Sequence, residues 1–568
     1  MKYIIYIVAL FVLLQSAGAS GAMTQEERKS RPAKFNTKAS GLSKSEFKSR
    51  YGRIEPRVPS QSSNEKMAAI RGQQLSGAMK IAPQKAKNLT NNFKFVDMPS
   101  DATFPGEFEE IQAALITWSY IVLDTNDNET GQFFDGIGYY GEYDLGPVYG
   151  VIDTFPSRDL CVVYRDLAYG INKNAQVWIN LWYPEDTTAV LNYMKNQGKP
   201  LTNYRFFFHP GNSIWYRDCG PVAYYYGPQD SIGWVDFQYY NGRPLDDSIP
   251  IQIARDLGYN VVTNTFGYEG GNILLDGRGN LFTSDEVYSG NSVDYGQYYL
   301  DENGELQETT KEPLSRDQVE DTLRKYLNLS GLRILPKLKY DGGTGHIDLY
   351  ADLYDENRFV YTQYPAEMKN FTDAKISRKN IDTMMSIVRS SGDHYYKRFI
   401  TLPRKDDGTW YASSTEYQNY TRSYTNHLQI NKAIIQPVFT DGVDGDIEHY
   451  ETDMDTLRMS YPGYDIIPVD VSSFDSWGGA IHCITKQIPA ENPIRIYHTD
   501  LHDTLAAADS YAIRATIKNK SGIAHAECIW RADGGSWQTL PLESMGNDEF
   551  KGYLQNPIVN GTIEYYLS

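Results

Sequence analysis

Three glycine pairs punctuate this chain: Gly270-Gly271, Gly342-Gly343 and Gly478-Gly479. They are spaced by about 70 and about 140 residues, as one period counted once and then twice would give, and that points to a fold of repeated units. Paired glycines let the backbone turn at φ values that other residues resist. The groups that follow each pair differ. The last pair, in Ser476-Trp477-Gly478-Gly479-Ala480-Ile481-His482-Cys483, leads to a thiol at the end of a short apolar run. The middle one leads through Thr344-Gly345 to His346-Ile347-Asp348, and the first leads to Asn272-Ile273. A fourth stretch, Trp215-Tyr216-Arg217-Asp218-Cys219-Gly220-Pro221, sets a carboxylate between aromatic residues and a Gly-Pro stop.

A thiol, an imidazole and two carboxylates are what chemistry on a guanidinium carbon needs. An unperturbed thiol is only a few per cent thiolate at neutral pH, so Cys483 as a nucleophile requires a cationic neighbour or a bound cation. A guanidinium is such a cation; the alternative for Cys483 is a buried structural cysteine. His482, next in sequence, would point to the opposite face of a strand and is expected to be structural. His346 and Asp348 would share a strand face. That suits proton transfer, with His346 protonating a leaving amine and then activating water while Asp348 holds one edge of the substrate; a hydrogen-bonded structural pair is the alternative. Asp218 is expected to project freely from a strand, where neighbours diverge; a salt bridge to Arg217 is the alternative. Two carboxylates can grip a guanidinium through paired N–H···O bonds in a way no ammonium matches. The Asp441-Gly442-Val443-Asp444-Gly445-Asp446 loop lacks a full calcium-binding pattern and reads as solvated.

The 568 residues, 41% of them hydrophobic, leave room for a large catalytic domain and a smaller one. Lys2, the apolar run Ile4 to Leu14 and the small residues Ala17-Gly18-Ala19 read as a cleaved signal peptide over 1–22, so the protein is expected to be exported. The run is shorter than the roughly 20 residues a membrane span needs, and no later stretch supplies one. Met23 to Phe95 is basic, roughly +11 by count, within a net charge of −18. The acidic remainder should draw cationic ligands and repel nucleic acid. The basic stretch lacks interleaved aromatics, and residues 23–100 are expected to be a disordered linker or pro-segment. Cysteines occur only at 161, 219, 483 and 528, too far apart for a disulfide framework or a structural zinc site. No metal or organic cofactor is expected.

Along the chain, Ile111 to Val122 reads as a buried strand and 124–150 as an insertion. Helices are expected over Leu160 to Tyr169, Thr187 to Asn196, Ile249 to Leu257, Ser315 to Leu327 and Asn380 to Ser391. Strands are expected over Val177 to Leu181, Ile232 to Phe237 and Asn260 to Asn264, and Arg205 to His209 leads into the Trp215 to Pro221 motif. Such alternation means a mixed α/β domain, placed at 101–490. From 495 to 568 short β runs at Tyr511 to Ile517, Ala524 to Arg531 and Thr562 to Leu567 predict a small β-sandwich. The last pattern stops one residue short of Ser568, and continuation beyond it is expected.

Five motifs in order, Trp215 to Pro221, Glu269-Gly270-Gly271-Asn272, Gly345-His346-Ile347-Asp348, Ser423-Tyr424-Thr425-Asn426 and Gly479-Ala480-Ile481-His482-Cys483, resemble the bacterial (Porphyromonas-type) peptidylarginine deiminase and agmatine deiminase family. The resemblance implies a five-bladed α/β propeller of pseudo-fivefold symmetry, each blade roughly a ββαβ unit around a central site, followed by an immunoglobulin-like β-sandwich. It also implies Cys483 as nucleophile, His346 as acid and base, Asp218 and Asp348 as guanidinium clamps, and Asn426 close by, with Trp215 at the substrate. Attack on the guanidinium carbon would release ammonia and leave a thiouronium that water hydrolyses. In the secreted peptidylarginine deiminase two arginines hold the substrate carboxylate; here Arg243 stands at one position and Asn241 at the other. Gly478-Gly479-Ala480-Ile481-His482-Cys483-Ile484-Thr485-Lys486-Gln487 is closer to the agmatine branch, whereas the signal peptide and the appended sandwich are similar to the secreted enzyme. The expectation is an exported enzyme converting peptidyl-arginine to citrulline, with agmatine or another small guanidine as the alternative substrate. A papain-like cysteine protease and a non-enzymatic secreted binding protein are the readings from other classes.

Overall fold

The computed structural model describes residues 93–568 other than 119, 124–128, 135–156, 182–183, 185, 210, 212, 240–243, 293–294, 301–305, 390–391, 406, 440–446, 462, 473–477, 499–500, 502–508 and 556–560. The expected signal peptide over 1–22, most of the basic segment, Arg243 and the Asp441 to Asp446 loop therefore lie outside the described residues.

Strands and helices alternate as the hydrophobic patterning demands, and they build five small sheets on one plan. In four of them an antiparallel strand pair is followed by a helix and then by a third strand parallel to the second. The second sheet joins Val222–Tyr226, Ser231–Gln238 and, after the helix Pro244–Leu257, Asn260–Gly267. The third joins Leu274–Leu275, Asn280–Ser284 and, after Arg316–Tyr326, Gly331–Leu335. In the fourth, Ala351–Leu353 and Arg358–Gln363 precede the helix Thr372–Met385 and the strand Tyr396–Thr401. In the fifth, Leu428–Ile430 and Ala433–Val438 precede Ile447–Ser460 and Asp465–Asp470. The first sheet takes its antiparallel partner from far along the chain. Lys486–Pro489 pairs with Ile111–Thr117, which Gln176–Leu181 and Tyr204–Phe208 extend in parallel.

Ile111–Thr117 is buried at nearly every position, because a central strand covered on both faces needs apolar residues on both. The helix Ser157–Asn172 buries Val163, Tyr164, Leu167, Ala168 and Ile171, one face of a 3.6-residue period. The helix Arg316–Tyr326 starts at a capping box in which Ser315 Oγ accepts from Gln318 N and the Gln318 side chain accepts from Ser315 N. Four apolar cores join neighbouring sheets. Trp178 meets Trp234 between the first and second, Val235 and Leu281 share the core of the second and third, and Phe282 and Phe359 that of the third and fourth. The largest core gathers Val360, Ile435 and Ile116 from the fourth, fifth and first. The sheets thus pack in sequence and the last packs on the first.

Several boundaries differ from the sequence reading. Ile111 to Val122 is two strands, Ile111–Thr117 and Tyr120–Leu123, and the second pairs with Glu129–Phe134 inside the expected insertion. The helix expected at Asn380 to Ser391 runs from Thr372 to Met385; its N-cap, Phe371, makes no side-chain cap, so no Ser, Thr or Asp marks the start. Within the stretch read as linker, Phe95 bridges to Val261 and Arg255 stacks on Phe93.

Residues 495–567 form two antiparallel sheets, Arg495–His498, Ser510–Lys518, Glu549–Gln555 and Glu543–Gly546 in one, Gln538–Pro541, Glu527–Ala532 and Ile563–Leu567 in the other. They enclose Ile513, Ile517, Cys528, Phe550 and Leu554. This unit rests on the five sheets through Arg495, 3.8 Å from Glu109 and 3.6 Å from Asp230, and through Tyr497 under the Arg278 guanidinium. Among the described residues no helix is long and apolar enough to cross a membrane.

Candidate active site

Each group singled out in the sequence lies two to four residues upstream of the first strand of a sheet: Asp218, Gly271, Asp348, Asn426 and Cys483. The repeated plan therefore brings them together from all five sheets. Their carriers are not strands. Asp218 sits in the four-residue helix Tyr216–Cys219, His346 caps the 3-10 turn Ile347–Leu349 that holds Asp348, and Cys483 lies in a turn. The strand-face argument used for His346, Asp348, Asp218 and His482 fails for that reason. Two of the glycine pairs make these tight turns and touch each other: Gly342 and Gly478 both have positive φ, and a Cβ on Gly342 would lie 2.7 Å from Gly478 Cα.

Cys483 is buried. Its Sγ accepts from Asn426 Nδ2 at 3.2 Å and lies 3.6 Å from Asp348 Oδ2. Asn426 ties the turn together, donating to Asp348 Oδ2 at 3.0 Å and accepting from Ala480 N at 2.8 Å. Trp215 closes the side near Gly479, where a Cβ would meet both Trp215 Cζ3 at 2.9 Å and the Cys483 Sγ at 2.7 Å. Burial, then Asp348 and Asp218, push the thiol well above its ordinary pKa.

His346 is buried with Nδ1 3.6 Å from Asp218 Oδ1 and Nε2 3.2 Å from Glu269 Oε2. Burial works against its charged form, but Asp218, Glu269 and Asp348 outweigh that and raise it to about 10, so it is an imidazolium at neutral pH. Asp218 is pushed up to about 6 by burial, which His346 opposes and Glu269 and Asp348 reinforce; its Oδ1 also accepts from Gly271 N at 3.0 Å. The Oδ1 of Asp348 is buried with no hydrogen-bond partner. Asp218, Glu269 and His346 bring three polar atoms within 4.8 Å of one another, two carboxylates about one imidazolium. A cavity lined by Gln238, Tyr239, Tyr268, Glu269, Glu286 and His346 leads to this cluster.

The structure brings together Cys483, His346, Asp218, Asp348, Asn426 and Trp215. It also brings in three residues to which the sequence reading gave no role in the chemistry. Glu269 stood inside a quoted motif, beside the first glycine pair. His482, expected to face away, binds Asp348 Oδ2 through Nδ1 at 2.7 Å and Glu107 Oε2 through Nε2 at 2.6 Å. Glu107 is 375 residues upstream of His482, and nothing local in the sequence marks it.

The model of the Porphyromonas-type peptidyl-arginine deiminase family matches residues 157–489. An agmatine deiminase of Stutzerimonas stutzeri is 26% identical over 307 residues, 49% of this chain and 76% of its own length. An agmatine deiminase of Pseudomonas syringae pv. syringae is 25% identical over 319 residues, 51% of this chain and 78% of its own. The agmatine deiminase of Enterococcus faecalis shares the fold at a TM-score of 0.51 and 18% identity, covering 70% of this chain and 100% of that one.

Proposed function

The chain belongs to the Porphyromonas-type peptidyl-arginine deiminase family, a hydrolase of amidine C–N bonds, and we propose that its substrate is a small guanidine of the agmatine type, hydrolysed to a ureido product and ammonia. One observation carries the site assignment: His346, Asp218 and Asp348 converge on Gly271, where a Cβ would lie 2.5 Å from His346 Nδ1, 2.9 Å from Asp218 Oδ1 and 3.1 Å from Asp348 Oδ2, and Asp348 in turn lies 3.6 Å from the thiol. Acid, clamps and nucleophile thus lie side by side.

In this reading Asp218 and Asp348 grip the guanidinium edges, Asp348 through its unpartnered Oδ1. The substrate cation offsets the carboxylates that hold the thiol protonated, so it helps to ionise its own nucleophile. As the substrate cation binds, the Cys483 thiol gives its proton to solvent; the thiolate attacks the guanidinium carbon, the C–N bond breaks as His346 gives its proton to the departing amine, and the thiouronium remains. Neutral His346 then takes a proton from water as it attacks, and collapse restores the thiol and releases the ureido product. The product has lost the charge the clamps held, which favours its departure. The order of the five packed sheets supports reading them as the five blades of a propeller around this site.

The agmatine-type assignment is supported by the relatives' substrate and by the cavity wall. Among its described lining residues the acidic and basic groups are Glu269, Glu286 and His346, and the His346 charge is taken up by Asp218 and Glu269, so no arginine or lysine among them waits for a substrate carboxylate. Peptidyl-arginine turned over by an exported enzyme is the second reading. It is favoured by the leader-like residues 1–22 and by the appended pair of sheets, which we read as immunoglobulin-like. Purified protein, with Cys483→Ala as control, is to be given agmatine, a peptide ending in arginine and a peptide with internal arginine, and ammonia and ureido product read together. Agmatine alone reacting supports the first reading; a peptide alone reacting supports the second and makes Arg243 the next substitution.

The pH profile follows from the same groups. Asp218 must be ionised to grip a cation, so kcat/KM falls as pH drops below about 6. His346 must be protonated to release the amine, so it falls again above about 10. The expected result is a bell with limbs near those values; a profile flat between pH 5 and 7 would remove Asp218 from the clamp.

A further inference from the structure

Behind the reacting groups a chain of buried charges runs away from the substrate. Asp348 uses Oδ2 for the protein, taking Asn426 Nδ2 at 3.0 Å and His482 Nδ1 at 2.7 Å, and leaves Oδ1 unpartnered. The other nitrogen of His482 is 2.6 Å from Glu107 Oε2. Glu107 is held by Arg217 Nη1 at 2.5 Å and Gln487 Nε2 at 3.2 Å. It also lines a second cavity, with Glu109, Arg217, Pro221, Lys486 and Gln487, distinct from the one that leads to His346.

We propose that His482 and Glu107 form a positioning relay in which Glu107 keeps His482 charged and His482 in turn orients Asp348 for the guanidinium. The proposal rests on the deiminase reading above. Carboxylate oxygens accept and do not donate when ionised, so contacts at 2.7 and 2.6 Å require a hydrogen on both ring nitrogens, which is the imidazolium. Burial and the Arg217 charge oppose that form; Glu107 and Asp348 prevail and raise His482 to about 8. The groups facing His482 are Asp348, Glu107, Arg217, whose Nε donates to the His482 carbonyl at 3.1 Å, and its neighbour Cys483. Lys486 stands beyond Glu107, brought down to about 7 by burial and Arg217. Without the charge at His482 the hydrogen bond that fixes Asp348 Oδ2 is weaker, and the carboxylate is held less firmly toward the substrate.

Glu107→Gln separates charge from position. A glutamine amide can donate to Nε2, leaving neutral His482 still bonded to Asp348 through Nδ1–H, and its carbonyl can accept from Arg217. With agmatine, or the arginine peptide if that is what wild type turns over, KM should rise about 5- to 10-fold near pH 7 with kcat little changed. The loss should fade above about pH 8, where wild-type His482 gives up its own proton. His482→Asn, too short to bridge, should lose about 10- to 100-fold across the whole range. Glu107→Ala opens space beside the second cavity, and added acetate should restore activity there but not in His482→Asn. Melting temperatures identify any variant that fails to fold. A wild-type profile in folded Glu107→Gln, or a Glu107→Ala protein whose loss acetate leaves untouched, overturns the relay while wild-type turnover keeps the deiminase reading. No ammonia from wild type with any of the three substrates overturns both.

Discussion

Cys483→Ala is expected to lower kcat/KM by about 10^4-fold or more, with the fold and substrate binding retained. The covalent route has no substitute: among the groups around the guanidinium space, Asp218 and Asp348 are needed as clamps, and His346, raised to about 10, is already protonated. Alanine removes a single sulfur atom from a buried position, a loss of about 1 kcal/mol at most sites of that size. It also relieves the burial of a thiol beside two carboxylates. Because the clamps remain, the variant should bind the true substrate without consuming it, and its melting temperature should rise with that ligand in the usual mass-action way. Ammonia release, intact mass after quenching and melting curves check the three parts. Residual activity within about 10-fold of wild type would mean that another group attacks.

The sequence made the site's members legible far better than its geometry. Cys483, His346, Asp218, Asp348 and Asn426 stood in short motifs because each sheet presents its functional residue at the same place, just before its first strand. The alternation of helices and strands was legible for the ordinary reason that buried strands and amphipathic helices have different periods. What failed was the assumption of extended backbone. The period-two rule sends neighbours to opposite faces only in a strand; in a 3-10 turn or a glycine-led turn it has no force, and His482 could reach Asp348 although it adjoins Cys483. Glu107 was beyond any local reading, since its partners Arg217, His482 and Gln487 lie more than a hundred residues away. Only the pairing of Lys486–Pro489 with Ile111–Thr117 brings that early loop under the thiol.

The same turns make Gly271→Ala a damaging change although it replaces no reacting group. Its Cβ would stand 2.5 Å from His346 Nδ1, 2.9 Å from Asp218 Oδ1 and 3.1 Å from Asp348 Oδ2. None of the three can move freely, because His346 and Asp348 share one 3-10 turn, Asp218 is held by Gly271 N itself, and Asp348 is tied to Asn426 and His482. Something must shift by several tenths of an ångström, and the neighbours that would shift include the acid and both clamps. Misplacement approaching 1 Å costs about 10^2-fold in rate, so a loss of that size or larger in kcat/KM is expected, well beyond the change in stability. Gly343→Ala is the matched control: it has φ +92° with nothing within 4 Å of the added Cβ. It should cost roughly 1 kcal/mol of backbone strain and little activity. Measured side by side, a larger loss of melting temperature than of kcat/KM in Gly271→Ala would mean that these three side chains do not converge on the reaction as the structure places them.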